Sequence, residues 1–325
     1  MTAAPSSLFF LLLCLPSLAS PQPALALSTS RRSPTSIFGY VSPWGRATAN
    51  VVRSEPAAGY FPPADGGGSL LTEAPGTVPP AGEPLNIIIA GTSSPRVLAI
   101  QQNDGGFLNY MLGIGFAAEC LGQHEGAPQQ ANLGDGNGYT NETAELRWDY
   151  GDPSLGTCQE TIKGGDHFRY WVQNGKNANS SAIFMATSYE MPIAQGHNII
   201  VNGYNLGRDW LIGNITGSAI NTSALTNTST FTGKTSYAGF VYSSAISYVS
   251  GLLPDSGIGV NHNTTVGVDG LPPIDGLVAV VEVTITTIPA NATNSAADLR
   301  TGPSQIMVSG LLPALLLLLL GALCV

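Results

Sequence analysis

Apolar and β-branched residues come in short runs along this chain, separated by stretches rich in Gly, Pro, Asn and Ser. Residues 85–90 (LNIIIA) form the first run of the central region, and their length and branching predict a buried strand. Ser94 then stands as an N-cap, with Pro95 at the first helical position. Val97, Leu98, Phe107, Leu108, Met111 and Leu112 predict a helix broken near Gly105 and Gly106. Residues 122–138 are Gly- and Asn-rich and read as loop. Two strand-like runs follow, 167–173 (HFRYWVQ) and 182–188 (AIFMATS), around a turn-forming NGKNANSS. Residues 204–215 predict a second helix, 216–236 an exposed polar insertion, and 240–249 and 277–288 two closing strands. The order β-α-β-β-α-β-β predicts an α+β fold, a ferredoxin-like split β-α-β sandwich with long loop insertions. Residues 85–90 should be its central strand, flanked by 167–173 and 277–288.

The pattern changes at both ends. Residues 8–15 (LFFLLLCL) are too short to cross a bilayer, which takes about 20 residues, and suit the core of a signal peptide. Ala24-Leu25-Ala26 offers the small-residue cleavage site, so residues 1–26 are expected to be removed. Residues 27–83 are rich in Pro, Gly, Ala and Ser without periodicity and read as a disordered or extended arm. Within it, Arg31 and Arg32 are either a dibasic processing site or two solvated residues. Residues 84–290 make the expected extracellular domain and 291–305 a polar spacer. Residues 306–325 (IMVSGLLPALLLLLLGALCV) carry no charge. The small triplet Asn294-Ser295-Ala296, the spacer and this tail together spell a glycosylphosphatidylinositol (GPI) attachment signal, with lipid on Asn294 or Ser295. The alternative is a retained transmembrane helix.

Composition narrows the function. A formal net charge of -9 and no basic cluster exclude nucleic acid as a partner. Of four cysteines, Cys14 and Cys324 lie in the terminal apolar segments. Cys120 and Cys158 remain, and in an oxidising compartment they are expected to pair, a catalytic thiol being the alternative. Asn141, Asn179, Asn214, Asn221, Asn227, Asn263 and Asn291 each open an N-x-[ST] acceptor. The expected place is the outer face of the plasma membrane or the cell wall, reached by the secretory pathway, with the membrane as partner through the C-terminal anchor.

The runs PLNIIIAG, HFRYWVQ, AIFMATSYE, GHNIIVNGYNLGRD and IDGLVAVVEV, taken in order over residues 84–288, resemble the pattern of the LssY-type C-terminal domain. The whole chain resembles secreted, GPI-type surface proteins of mushroom-forming fungi. The resemblance implies fold more than activity. His167, Glu190, His197, Arg208 and Asp209 map onto that ordered pattern and are the candidate catalytic residues, since such groups do acid–base work or ligate zinc. None has the H-E-x-x-H spacing, and neither metal nor cofactor is assigned. The plainer alternative pairs Arg208 with Asp209 at a helix start and leaves the histidines along a loop edge. Asp135 to Asn141 departs from a calcium loop and reads as a turn. Gly233-Lys234-Thr235 lacks the upstream glycine of a phosphate loop, and no G-x-S-x-G occurs. Tyr170, Trp171, Tyr189, Tyr204 and Trp210 suit either a sugar platform or core packing. The leading expectation is an N-glycosylated surface protein with a binding or structural role toward a carbohydrate or protein. The runner-up is a secreted hydrolase built on His197 and Asp209, which would gather those two with Glu190 or His167 in one pocket.

Overall fold

The computed structural model describes residues 56–292 apart from 125, 268, 269 and 291. The signal peptide, the arm as far as residue 55, Asn291, the anchor triplet and the apolar tail lie outside the described residues. In chain order the elements are β1 (Leu85–Ile89), α1 (Phe107–Leu112), β2 (Phe116–Ala118), β3 (Gln130–Asn132), β4 (Tyr139–Asn141), β5 (Ala144–Trp148), α2 (Gly156–Lys163), β6 (Gly165–Gly175), β7 (Ala178–Glu190), α3 (Gly203–Thr216), β8 (Thr230–Tyr237), β9 (Phe240–Val249), α4 (Asn263–Val266) and β10 (Val278–Thr287). Eight strands share one sheet in the order β2-β5-β6-β7-β1-β10-β9-β8, and β3 and β4 form a separate hairpin. β1 is buried along its whole length, as a strand apolar on both faces must be. It pairs parallel with β10 and antiparallel with β7.

Each face of the sheet carries a core. On one, Ile87 and Ile89 pack with Phe107, Tyr110 and Met111 of α1 and with Leu211, Ile212 and Ile215 of α3. On the other, Leu85, Ile88, Trp171 and Phe184 pack with Tyr60 and Leu70 and with Leu253, Val260 and Ile274. Among the described residues no helix is long and apolar enough to cross a membrane.

The α+β class holds, but the ferredoxin-like split β-α-β arrangement is not confirmed. β10 flanks β1 as expected, whereas β7 takes the place expected for residues 167–173. β6 and β7 are joined by only Lys176 and Asn177, so they pair with each other. The one with the longer fully buried stretch, residues 182–188 of β7, then lies against β1. Three further expectations change. The polar insertion 216–236 ends in edge strand β8, whose exposure alternates residue by residue. The broken helix over 97–112 reduces to α1. Ser93 and Ser94 do not cap it; their hydroxyls accept the backbone N–H groups of Val283 and Ile285.

The arm also ends earlier than expected, because residues 56–83 lie on the sheet. Tyr60, Phe61, Leu70 and Thr72 are buried. The Phe61 N–H donates to Gln173 Oε1 at 3.0 Å, and its carbonyl accepts from Gln173 Nε2 at 2.8 Å. Isolated anchors of this kind carry no period, which is why the sequence gives no helix or strand signal there.

Candidate functional site

The antiparallel register of β5, β6 and β7 lines up charged residues. Glu145 stands opposite Arg169, Arg147 opposite His167, and His167 opposite Ser188. Residues two apart on a strand share a face. His167, Arg169, Ser188 and Glu190 therefore lie on the face that also carries Trp171, Phe184 and Ala186, and one apolar face runs into a charged end. Two connections complete the cluster. α2 delivers Glu160, and Gly164 turns the chain into β6 with φ 76°. A Cβ at Gly164 would come within 2.4 Å of the Glu190 carbonyl oxygen, so only glycine lets α2 and the end of β7 approach this closely. After β7, the Met191 N–H donates to the Asn198 carbonyl at 2.8 Å and the Ile200 N–H to the Tyr189 carbonyl at 3.0 Å. This folds His197, held at a left-handed φ of 52°, back toward Glu190.

Two guanidinium groups organise the carboxylates. Arg147 pairs with Glu145, with Glu160 at 2.8 Å and with Glu190 at 3.6 Å. Arg169 pairs with Glu145 at 2.7 Å, Glu142 at 3.3 Å and Glu83 at 3.5 Å. His124 closes the outer side against Glu119 at 2.8 Å and Glu142 at 3.3 Å. On the inner side, His167 Nδ1 lies 3.4 Å and His197 Nε2 3.2 Å from the same oxygen, Glu190 Oε2.

Burial dominates the titration of this centre. It pushes Glu190 up to about 8, against the opposing pull of Arg147, and Glu145 up to about 7, against Arg169 and Arg147. Asp166, fully buried, is raised well above the ordinary carboxylate value by burial and then by Glu160. Burial, followed by Arg147, Arg169 and His197, holds His167 well below 6.5. The ring is therefore neutral at pH 7, and its approach to Glu190 is not an ion pair. A neutral imidazole has a lone pair to offer, here beside carboxyl groups that Arg147 and Arg169 already hold.

His167, Glu190 and His197 thus come together as the sequence suggested, and Arg208 and Asp209 do not join them. Arg208 is fully buried on α3. It donates through Nε to Asp209 at 2.7 Å and through NH1 to Asp275 at 2.7 Å and the Leu277 carbonyl at 2.8 Å. NH2 reaches both Asp209 and Asp275. Tyr248 donates to Asp209 at 2.8 Å. Every arm of the pair is taken up in fixing α3 to β9 and to the entry of β10. Of the five aromatic residues suited to a sugar platform, Tyr170, Trp171 and Tyr204 are buried in the two cores, while Tyr189 and Trp210 are partly exposed and line one cavity. Asp135 serves a turn, accepting the N–H of Asn137 at 2.9 Å.

Glu83, Glu119, His124, Glu142, Glu145, Arg147, Glu160, Asp166 and Arg169 are members that sequence reasoning missed. One signal was available. AELRW and HFRYW each place two ionisable residues at alternate positions of an otherwise apolar strand, in a chain with only 10% charged residues. Comparison with known proteins returns no matching family model, no similar curated protein and no similar solved structure. The resemblance to the LssY-type domain rests on the ordered motifs alone.

Proposed function

We propose that this chain is a secreted, N-glycosylated protein of the outer cell surface, tethered there by a lipid at Asn294 or Ser295. Its folded domain has a binding or structural role. The observation that carries this reading is the placement of the acceptor asparagines. Asn141, Asn179, Asn221, Asn227 and Asn263 are all exposed, as bulky, hydrated glycans require. The Cys120–Cys158 disulfide, with Cα atoms 4.6 Å apart, adds to it, since such bonds persist in oxidising compartments. The hydrolase alternative is weakened, because Asp209 is taken up by Arg208 and Tyr248.

The test is release from intact cells. Phosphatidylinositol-specific phospholipase C should free the protein, and mass spectrometry should find no peptide from residues 306–325 in the mature form. A tail peptide continuous with residues 298–300 in surface protein would replace the lipid anchor with a membrane helix.

A further inference from the structure

We propose that His167 Nδ1, Glu190 Oε2 and His197 Nε2, with the carboxylate of Glu160, form a binding site for one divalent transition-metal ion of the zinc class. The site does not depend on the surface-protein reading, because the same side chains would hold the ion in any compartment.

The cluster is more than a patch of acidic residues. His167 is 1% exposed, yet its Nδ1 makes no hydrogen bond, and neither does Glu190 Oε2, although both atoms are buried. Two buried polar atoms 3.4 Å apart, neither in a hydrogen bond and with only the longer Arg147 ion pair at 3.6 Å reaching Glu190 Oε2, are costly unless something else satisfies them. An ion between them does so. One ligand atom from each of Glu160, His167 and Glu190 lies within 4.8 Å of the others.

The spacing around Glu190 Oε2 suits zinc, and His197 would join the ion from beside the set Glu160, His167 and Glu190. Bonds of about 2.0–2.1 Å in tetrahedral geometry separate neighbouring ligand atoms by about 3.3 Å. The separations to Glu190 Oε2 are 3.4 Å from His167 and 3.2 Å from His197. Two imidazoles argue against calcium and magnesium, which take oxygen ligands, and favour the transition metals. Glu160 and Glu190 offer carboxylate oxygens to the ion, which displaces the proton that burial favours on Glu190 and shares the two groups with Arg147. The surroundings are those that orient metal ligands. Arg147 holds Glu160 Oε2 at 2.8 Å. His167 Nε2 lies 3.5 Å from the Ser188 hydroxyl and 3.2 Å from Arg169 NH1. Arg169 NH1 can only donate, so without an ion Nε2 is its acceptor; with Nδ1 on the metal, Nε2 carries the proton, Ser188 accepts it, and the Arg169 contact is given up. No motif announced the set, because its members come from a helix, two strands and a turn.

The experiment is calorimetric titration of the chelator-treated full chain with zinc chloride at pH 7.5, with metal content measured after dialysis. One zinc per chain is expected. His197→Ala changes a residue in a surface turn and should keep the far-ultraviolet dichroism of the wild type. It should weaken binding by at least about 10–100-fold, the loss that a change around a metal's ligands alone produces. Glu190→Gln should do the same. His124→Ala, in the outer cluster, should leave zinc affinity unchanged. Cobalt in place of zinc should show the visible bands of a tetrahedral centre, lost in His197→Ala. Absence of stoichiometric zinc in the folded wild type, or equal affinity in wild type and folded His197→Ala, would overturn the proposal. So would a loss in His124→Ala as large as in His197→Ala.

Discussion

Arg208 and Asp275 form a two-armed ion pair, NH1 to Oδ1 at 2.7 Å and NH2 to Oδ2 at 2.8 Å, across 67 residues of chain. Asp209 occupies the Nε side of the same guanidinium. The pair joins α3 to the segment entering β10, so it belongs to the fold and not to the histidine centre. Arg208→Ala leaves Asp209 buried without its counter-charge and should lower stability by about 3–5 kcal/mol. Arg208→Lys should recover little of this, because an ammonium cannot serve both carboxylates in the planar fork. Urea unfolding midpoints measure both. A loss below about 1 kcal/mol in Arg208→Ala would show that the clamp carries no stability.

The disulfide closes a loop with a sequence separation of 38. Chain entropy alone makes such a closure worth roughly 4 kcal/mol. The double variant Cys120→Ala/Cys158→Ala should therefore melt well below the oxidised wild type and match the wild type measured under reducing conditions. Equal melting temperatures for oxidised protein and double variant would refute the contribution.

Burial raises Glu145 from 4.5 to about 7 in the folded chain. A carboxyl raised on folding contributes stability that is complete below about pH 4.5 and is lost as pH rises through about 7. His167 has the opposite sign: held below 6.5 when folded, it favours the native state as pH rises through that value. Comparison with Glu145→Gln separates the two. In chelator-treated protein, the wild-type melting temperature minus that of Glu145→Gln should decrease from pH 5 to pH 8. A difference independent of pH would show that Glu145 does not titrate in this window.

Gln173 is fully buried and ties residue 61 to the sheet. Its amide donates to the carbonyls of Phe61 and Leu133 and accepts from the Phe61 N–H and the Ser180 hydroxyl. Gln173→Leu strands those groups and should cost at least about 2 kcal/mol. Protease should then cut within residues 56–70 before the rest of the domain, and equal cleavage rates in variant and wild type would contradict the tie.

Much of the strand content was legible in the sequence because β1, β6, β7, β9 and β10 are apolar runs of strand length, and α3 was legible from its helical spacing. β2 and β5 escaped notice, being a short run and a run interrupted by Glu145 and Arg147. β8 escaped because an edge strand with one solvated face reads as polar, its Thr230, Thr232, Lys234 and Ser236 facing water. Which strand lies against β1 depends on tertiary burial, and local pattern does not contain it. At the site, His167, Glu190 and His197 were found individually. Their separation from Asp209 was not, because Arg208-Asp209 looks alike whether it faces a cleft or a buried partner such as Asp275, which lies 67 residues away. Glu160 joins through the turn at Gly164, a contact that the spacing from 160 to 190 does not encode.

The most direct measurement is a glycopeptide map of the protein recovered from the cell surface. Asn141, Asn179, Asn221, Asn227 and Asn263 are exposed and should carry glycan. Asn214 lies on α3 with its Nδ2, the atom to be modified, buried; it should be bare in spite of its acceptor sequence. Sugar on the exposed asparagines with Asn214 unmodified is the result expected of an extracellular domain with this fold. Five unmodified acceptors would contradict the extracellular placement, and glycan on Asn214 would contradict the packing of α3.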